Sequence, residues 1–189
     1  MSRVVVPLVE GFEDIEALTI VDILRRAEID VVTAAVSDSP VLSSHNIPVG
    51  TDTTMAAVKD DPGVEMVVLP GGPGTGKLGE SADLKALVER LQGEDKEIAA
   101  ICAAPSVLAG FGVLDGKRAT SFPAVRDKLI EVGVDYRETT VVRDGKVTTS
   151  RGPGTAMDFA LELVAILEGR SKRDEVESRL MRPESSATA

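Results

Sequence analysis

The chain has 189 residues, enough for one domain or two small ones, with 43% hydrophobic and 28% charged residues, the balance of a folded chain with a real core. It holds one cysteine, Cys102, and one histidine, His45, which excludes an intramolecular disulfide and any zinc site that needs several Cys or His ligands. A formal charge of −10 and 3% aromatics with no Trp argue against binding to nucleic-acid backbones or stacking on bases.

The predicted elements alternate along the chain. Residues 4–9 form a short β-branched run fit for a buried strand, ended by Gly11. Ile15, Leu18, Ile20, Val21, Ile23 and Leu24 recur at helical spacing, with Arg25 and Arg26 near the end. A second strand spans 29–36, and 41–49 suits an irregular hairpin interrupted by Pro48. A third strand at 65–69 ends in Pro70-Gly71-Gly72. A helix carrying Leu84, Leu87, Val88 and Leu91 follows, with Ser81 as N-cap and Gly93 past its end. The strand at 98–101 runs into Cys102 and a short helix opened by Pro105. Further on come a strand at 119–121, a helix at 123–132 and a hairpin at 141–149 turned by Asp144-Gly145. Helices over 152–168 and 171–181 close the pattern. Residues 1–182 are expected to form a single domain, with a disordered polar tail at 183–189.

Strands alternating with helices imply an α/β fold with a mostly parallel sheet and helices on both faces. Ligands in such folds bind at the carboxyl ends of the strands. That rule nominates the turn after Val9, the loop after Leu69, and Cys102. No apolar run approaches about 20 residues, and no basic leader precedes one, so no membrane partner is expected. A lone thiol suits the reducing cytoplasm.

Cys102 stands where a buried strand turns into a helix, the position of a nucleophile elbow. The helix N-terminus is expected to favour its thiolate, and the N–H of Ala103 to face an oxyanion. A buried structural cysteine is the plainer alternative. Glu13 and Asp14 read as caps and dipole partners. Glu16, at the end of the first strand, reads as a partly buried carboxyl group of raised pKa that shuttles protons with Cys102.

Residues 71–77 imitate a phosphate-binding loop, but Leu78 occupies the place of its magnesium-binding hydroxyl and two prolines remove N–H groups. The preferred reading is a tight turn that brings the Gly72 N–H beside Cys102. A second glycine loop, at 148–155, reads as a pocket wall or as a cap and turn, with Arg151 available to a carbonyl or carboxylate. His45 lies in a turn-rich segment, where histidines are mostly exposed and inert.

At these residues the sequence resembles the ThiJ/PfpI superfamily, in its Parkinson-associated deglycase and bacterial YajL branch. The resemblance is carried by Gly-Phe-Glu-Asp-Ile-Glu at 11–16, Val-Asp-Ile-Leu-Arg-Arg-Ala at 21–27, Leu-Pro-Gly-Gly at 69–72 and Ala-Ala-Ile-Cys-Ala-Ala-Pro at 99–105. It continues through Ser-Phe-Pro-Ala-Val-Arg-Asp-Lys at 121–128 and Thr-Ser-Arg-Gly-Pro-Gly-Thr-Ala-Met-Asp-Phe-Ala at 149–160. It implies a flavodoxin-like three-layer sandwich that forms a homodimer. It maps the nucleophile to Cys102, its acid partner to Glu16, and the oxyanion amides to Gly72 and Ala103. Gly71, Arg151, Pro153 and His45 fall around the substrate, with His45 near the dimer interface. Phe122 stands where some members carry a histidine, and Ala103 where protease-type members do, so peptidase activity is not expected. The implied activity needs no cofactor and no metal. It is a glyoxalase or deglycase reaction of the thiolate with aldehydes such as methylglyoxal and glyoxal, or with their early glycation adducts. The alternative is an oxidative-stress sensor or redox-regulated chaperone acting through Cys102 oxidation.

Overall fold

The computed structural model describes residues 3–182, so the expected tail at 183–189 lies outside the described residues. Strand β1 (Arg3–Leu8) passes through a turn at Gly11, φ +83°, into helix α1 (Asp14–Arg26), and β2 (Asp30–Ala35) follows. The irregular hairpin is present as antiparallel β3 (Val41–Leu42) and β4 (Pro48–Val49). Three short pieces carried too little periodicity to be foreseen: β5 (Thr53–Thr54), α2 (Met55–Val58) and α3 (Thr75–Glu80). Between them runs β6 (Val64–Leu69). Helix α4 (Ala82–Gly93) is capped as expected, the Ser81 hydroxyl accepting the Leu84 N–H at 3.2 Å. Then come β7 (Glu97–Ile101) and α5 (Pro105–Gly110).

The second half holds β8 (Arg118–Ala119), α6 (Arg126–Glu131), β9 (Asp135–Tyr136), β10 (Val141–Asp144), β11 (Val147–Ser150), α7 (Ala156–Glu168) and α8 (Arg170–Arg179). Two expectations are corrected here. The strand foreseen at 119–121 is shorter and pairs with β9 outside the main sheet, because the Thr120 N–H is taken by the Thr149 hydroxyl at 2.9 Å. The hairpin turns on Gly145-Lys146, not on Asp144-Gly145: Asp144 still pairs with Val147, and Gly145 supplies the left-handed φ of +60°.

The main sheet has seven strands in the order β10-β11-β7-β6-β1-β2-β5, parallel except for β10. Side-chain alternation splits the core into two layers. Val4, Val6, Leu8, Met66, Val68, Ala99 and Ile101 pack towards α1, α7 and α8. Val5, Val67, Leu69, Ile98 and Ala100 pack towards α2, α4 and α5. Both sheet faces are covered, which is why the central strands read as unbroken apolar runs. From β1 the chain builds outward on one side through β2 and β5, then crosses to β6, β7 and β11 on the other. The strand order therefore reverses between β1 and β6, and the crevice opens at their carboxyl ends.

Candidate active site

Cys102 is the first residue after β7 and is 8% exposed. Its φ of +64° lies in the left-handed region, which is costly for a residue with a Cβ. Both neighbouring segments hold it there. Its N–H donates to the Ser150 carbonyl at 3.1 Å, and its own carbonyl accepts the Phe122 N–H at 2.7 Å. The expected elbow is present, made by pairing β7 with β11 and with the chain after β8.

Gly71 stands at the centre of the convergence. A Cβ placed there would lie 2.6 Å from the Cys102 Cβ, 2.9 Å from Glu16 Oε2 and 3.1 Å from the Ala103 nitrogen. One point thus touches the ends of β1, β6 and β7 together. The Gly71 N–H donates to Glu16 Oε2 at 2.8 Å, and its carbonyl accepts the Glu13 N–H at 2.9 Å. Gly71, expected on the substrate side, has its N–H committed to holding Glu16. Gly72 has φ +112°, and a Cβ there would fall 2.4 Å from the Gly11 carbonyl oxygen, so only glycine fits this packing of the two loops.

Glu16 is fully buried, beyond the partial burial expected of it. It enters α1 behind Glu13, whose side chain caps the helix by accepting the Glu16 N–H at 2.7 Å. Burial pushes the Glu16 pKa up to about 7, partly opposed by hydrogen bonding from Cys102 and from the Gly71 N–H. The Cys102 thiol is pushed up to about 12, first by burial and then by the Glu16 charge and hydrogen bond. The Ala103 and Gly72 N–H groups act in the opposite sense, which sets both beside the sulfur. Burial beside Glu16 works against the expected resting thiolate, and α5, whose terminus was to favour it, begins only at Pro105. Glu16 Oε1 is buried and makes no hydrogen bond of ordinary length and angle, while Oε2 takes the Gly71 N–H.

The other expected site residues lie further out. Arg151 and Pro153 line an open cavity of about 350 Å³ with Phe122 and Thr140, one residue beyond Ser150. The Arg151 and Gly152 N–H groups both donate to the Thr155 hydroxyl, at 3.2 and 3.1 Å, so this loop is a cap as well as a wall. His45 is not joined to Cys102. Its Nδ1 lies 2.7 Å from Asp14 Oδ2, with its side chain 73% exposed, and that hydrogen bond raises its pKa. Asp14 is therefore more than a dipole partner. Burial works to raise its pKa, but hydrogen bonds from Ser43, His45 and Ser44 bring it below the ordinary value. No spacing in the sequence links positions 14 and 45. They meet because β3 leads into the loop after β1, where the Ser44 N–H donates to the Phe12 carbonyl at 2.8 Å.

The phosphate-loop imitation resolves as structure. Lys77 Nζ pairs with Glu10 at 3.1 Å, and the Thr75 hydroxyl closes on the Gly72 carbonyl at 2.6 Å. Among the described residues no group of three or more His, Cys, Asp or Glu is arranged to hold a metal ion, and no helix is long and apolar enough to cross a membrane.

Comparison with known proteins meets this geometry from outside. Protein dj-1beta of Drosophila melanogaster is 40% identical over 176 residues, covering 92% of this chain and 94% of that one. Its crystal structure superposes with a TM-score of 0.92 over 97% of this chain and all of that one. A Caenorhabditis elegans protein named as a glutathione-independent glyoxalase is 36% identical over 163 residues, 86% of this chain and 87% of that one. A structure of Toxoplasma gondii DJ-1, described as oxidized, matches at 34% identity with a TM-score of 0.91 over 97% of this chain and all of that one. The model of the DJ-1/PfpI family matches residues 2–166, a span that contains the elbow cysteine, the buried glutamate and both glycine loops, and the chain belongs to that family.

Proposed function

We propose that this protein is a cofactor-independent enzyme of glyoxalase or deglycase type that acts through Cys102 on small reactive aldehydes such as methylglyoxal and glyoxal. The observation that carries the reading is the fully buried Glu16 carboxyl, its pKa near 7, packed against the Cys102 thiol with the Gly72 and Ala103 N–H groups beside the sulfur. A base of that pKa suits proton transfer near neutrality. The name of the nematode relative agrees with this class of reaction.

The chemistry balances without an external cofactor. The Glu16 carboxylate takes the thiol proton as sulfur bonds to the aldehyde carbon, and the carbonyl π pair becomes an oxyanion facing the Gly72 and Ala103 N–H groups. Glu16 returns that proton to the oxygen, giving a neutral hemithioacetal. It next takes the proton from the former aldehyde carbon, and the neighbouring ketone becomes an enediolate. Glu16 returns that proton to the second carbon while the hydroxyl proton of the first carbon passes to the second oxygen, which leaves a thioester of the hydroxyacid. Water then cleaves the thioester, releasing the hydroxyacid and restoring the thiol. For methylglyoxal the sum is aldehyde plus water to lactate. Arg151 and Pro153 form the outer wall of the substrate site. Early adducts of aldehydes with amines enter the same route after loss of the amine.

A homodimer accompanies the proposal, formed over the apolar side chains that α1 leaves in solvent, with Ile15 55% and Leu18 41% exposed. His45 then lies near the seam. We take the compartment to be the cytoplasm, where an unpaired thiol stays reduced. The test is lactate formation from methylglyoxal by wild type, Cys102→Ser and Glu16→Gln. Both variants should lose at least about a hundredfold in rate, the usual weight of a nucleophile or general base. Equal rates in all three would sink the mechanism.

A further inference from the structure

A second cavity, of about 420 Å³, lies at the opposite end of the sheet from Cys102. It is lined by Gln92 in the last turn of α4 with Asp95 and Lys96 after it, by Val113 and Lys117 after α5, and by Arg143 and Lys146 at the β10–β11 turn. Ile98 and Val147, paired across β7 and β11, supply its floor. Ile98 is four residues before Cys102 on the same strand, about 13 Å at the rise of a β-strand. Four cations and one acid line this cavity, in a chain that carries 21 basic and 31 acidic residues. Carboxylates just behind the lining, Glu65, Glu94 and Glu97, offset part of that positive charge.

The cations differ in how far they are neutralised. Lys96 is held by Glu94 at 2.9 Å and Glu65 at 3.3 Å. Arg143 and Lys146 share one oxygen, Glu97 Oε1, at 3.1 and 3.2 Å. Two cations thus divide one carboxylate, whose buried Oε2 makes no hydrogen bond. Lys117 forms no close ion pair among the described residues, although its charge acts on Asp144. Lys117 on one wall and the Arg143–Lys146 turn on the other therefore aim donors into one volume. Arg143 already donates from Nη2 to Glu97 and from Nε to the Gly145 carbonyl at 3.2 Å, so its Nη1 and the ammonium groups of Lys117 and Lys146 are the donors left, three for an anion with three terminal oxygens. Asp95 stands opposite and discourages a ligand that is anionic throughout. The floor of Ile98, Val113 and Val147 is apolar, and the volume is in the range of small-ligand sites.

We propose that this cavity is a binding site for a small organic phosphate monoester, its phosphate between Lys117, Arg143 and Lys146 and its organic body on the apolar floor. The site is separate from the aldehyde chemistry and does not depend on it. The probe is phenyl phosphate, titrated into the full chain by calorimetry at low salt, beside inorganic phosphate and benzoate. Saturable one-to-one binding is expected, weaker for both comparison anions. Lys117→Ala and Lys146→Ala should each weaken it about tenfold, the loss of a charge-assisted contact. Both positions are partly exposed, so the variants should fold, and thermal melting checks that they do. Cys102→Ser should bind as wild type does. The proposal is overturned by absence of saturable binding, by benzoate or inorganic phosphate binding as tightly, by folded lysine variants that bind like wild type, or by loss of binding in Cys102→Ser.

Discussion

Gly71 shows how little freedom the site allows. Its missing side chain is the space in which Cys102, Glu16 and the Ala103 N–H meet, the first contact being 2.6 Å from where a Cβ would stand. Gly71→Ala should cost about 1–3 kcal/mol through overpacking, read as a lower denaturant midpoint, and should abolish lactate formation even where the variant folds. Glu16 gives a second test with a definite sign. Its pKa rises from 4.5 to about 7 on folding, so between those values the native state binds more protons than the unfolded one. Stability contributed by this group is whole below pH 4.5 and falls by about 3 kcal/mol as the pH passes 7. Glu16→Gln should flatten that part of the stability profile measured by urea unfolding. A drop of the same size in the variant would mean that another group is responsible. That Cys102 and Glu16 meet was legible in the sequence because both follow recognisable strand ends. The thiol's high pKa was not, since burial and the charge on a residue 86 positions away are tertiary facts.

At the scale of elements, legibility followed length and period. β1, β2, β6 and β7 are continuous apolar runs because both sheet faces are covered, and α1 and α4 repeat their buried residues at helical spacing. β5 and α2, of two and four residues, are shorter than any period can reveal. The turn at Gly145-Lys146 was misplaced by one residue because Asp-Gly is itself a turn signal, and only the pairing of Asp144 with Val147 fixes the register. Helix α1 carries the dimer proposal. Ile15 and Leu18 are exposed at positions where its inner face, Ala17, Ile20, Val21 and Leu24, is already satisfied. Sedimentation should give twice the chain mass for the wild type and a lighter species for Leu18→Glu. A wild-type monomer at micromolar concentration would dismiss the dimer.

Across the whole molecule, the reversal of strand order between β1 and β6 decides where chemistry can occur. Sequence alternation was enough to nominate three strand ends, and all three meet there: the turn after β1 leads into the first turn of α1 with Glu16, the loop after β6 carries Gly71 and Gly72, and β7 delivers Cys102. What sequence order could not supply was distance. It gave no sign that His45 meets Asp14, a contact between positions 31 residues apart. The central claim is that Cys102 adds to the aldehyde while Glu16 moves the protons that turn the adduct into a hydroxyacid. Carbon-13 NMR of methylglyoxal labelled at the aldehyde carbon tests that division most directly. In the wild type the label should pass into the carboxyl of lactate. In Glu16→Gln it should stop as a protein-bound hemithioacetal, and in Cys102→Ser no adduct should form. Lactate formed by Glu16→Gln at the wild-type rate, or by Cys102→Ser at all above the protein-free rate, would contradict it.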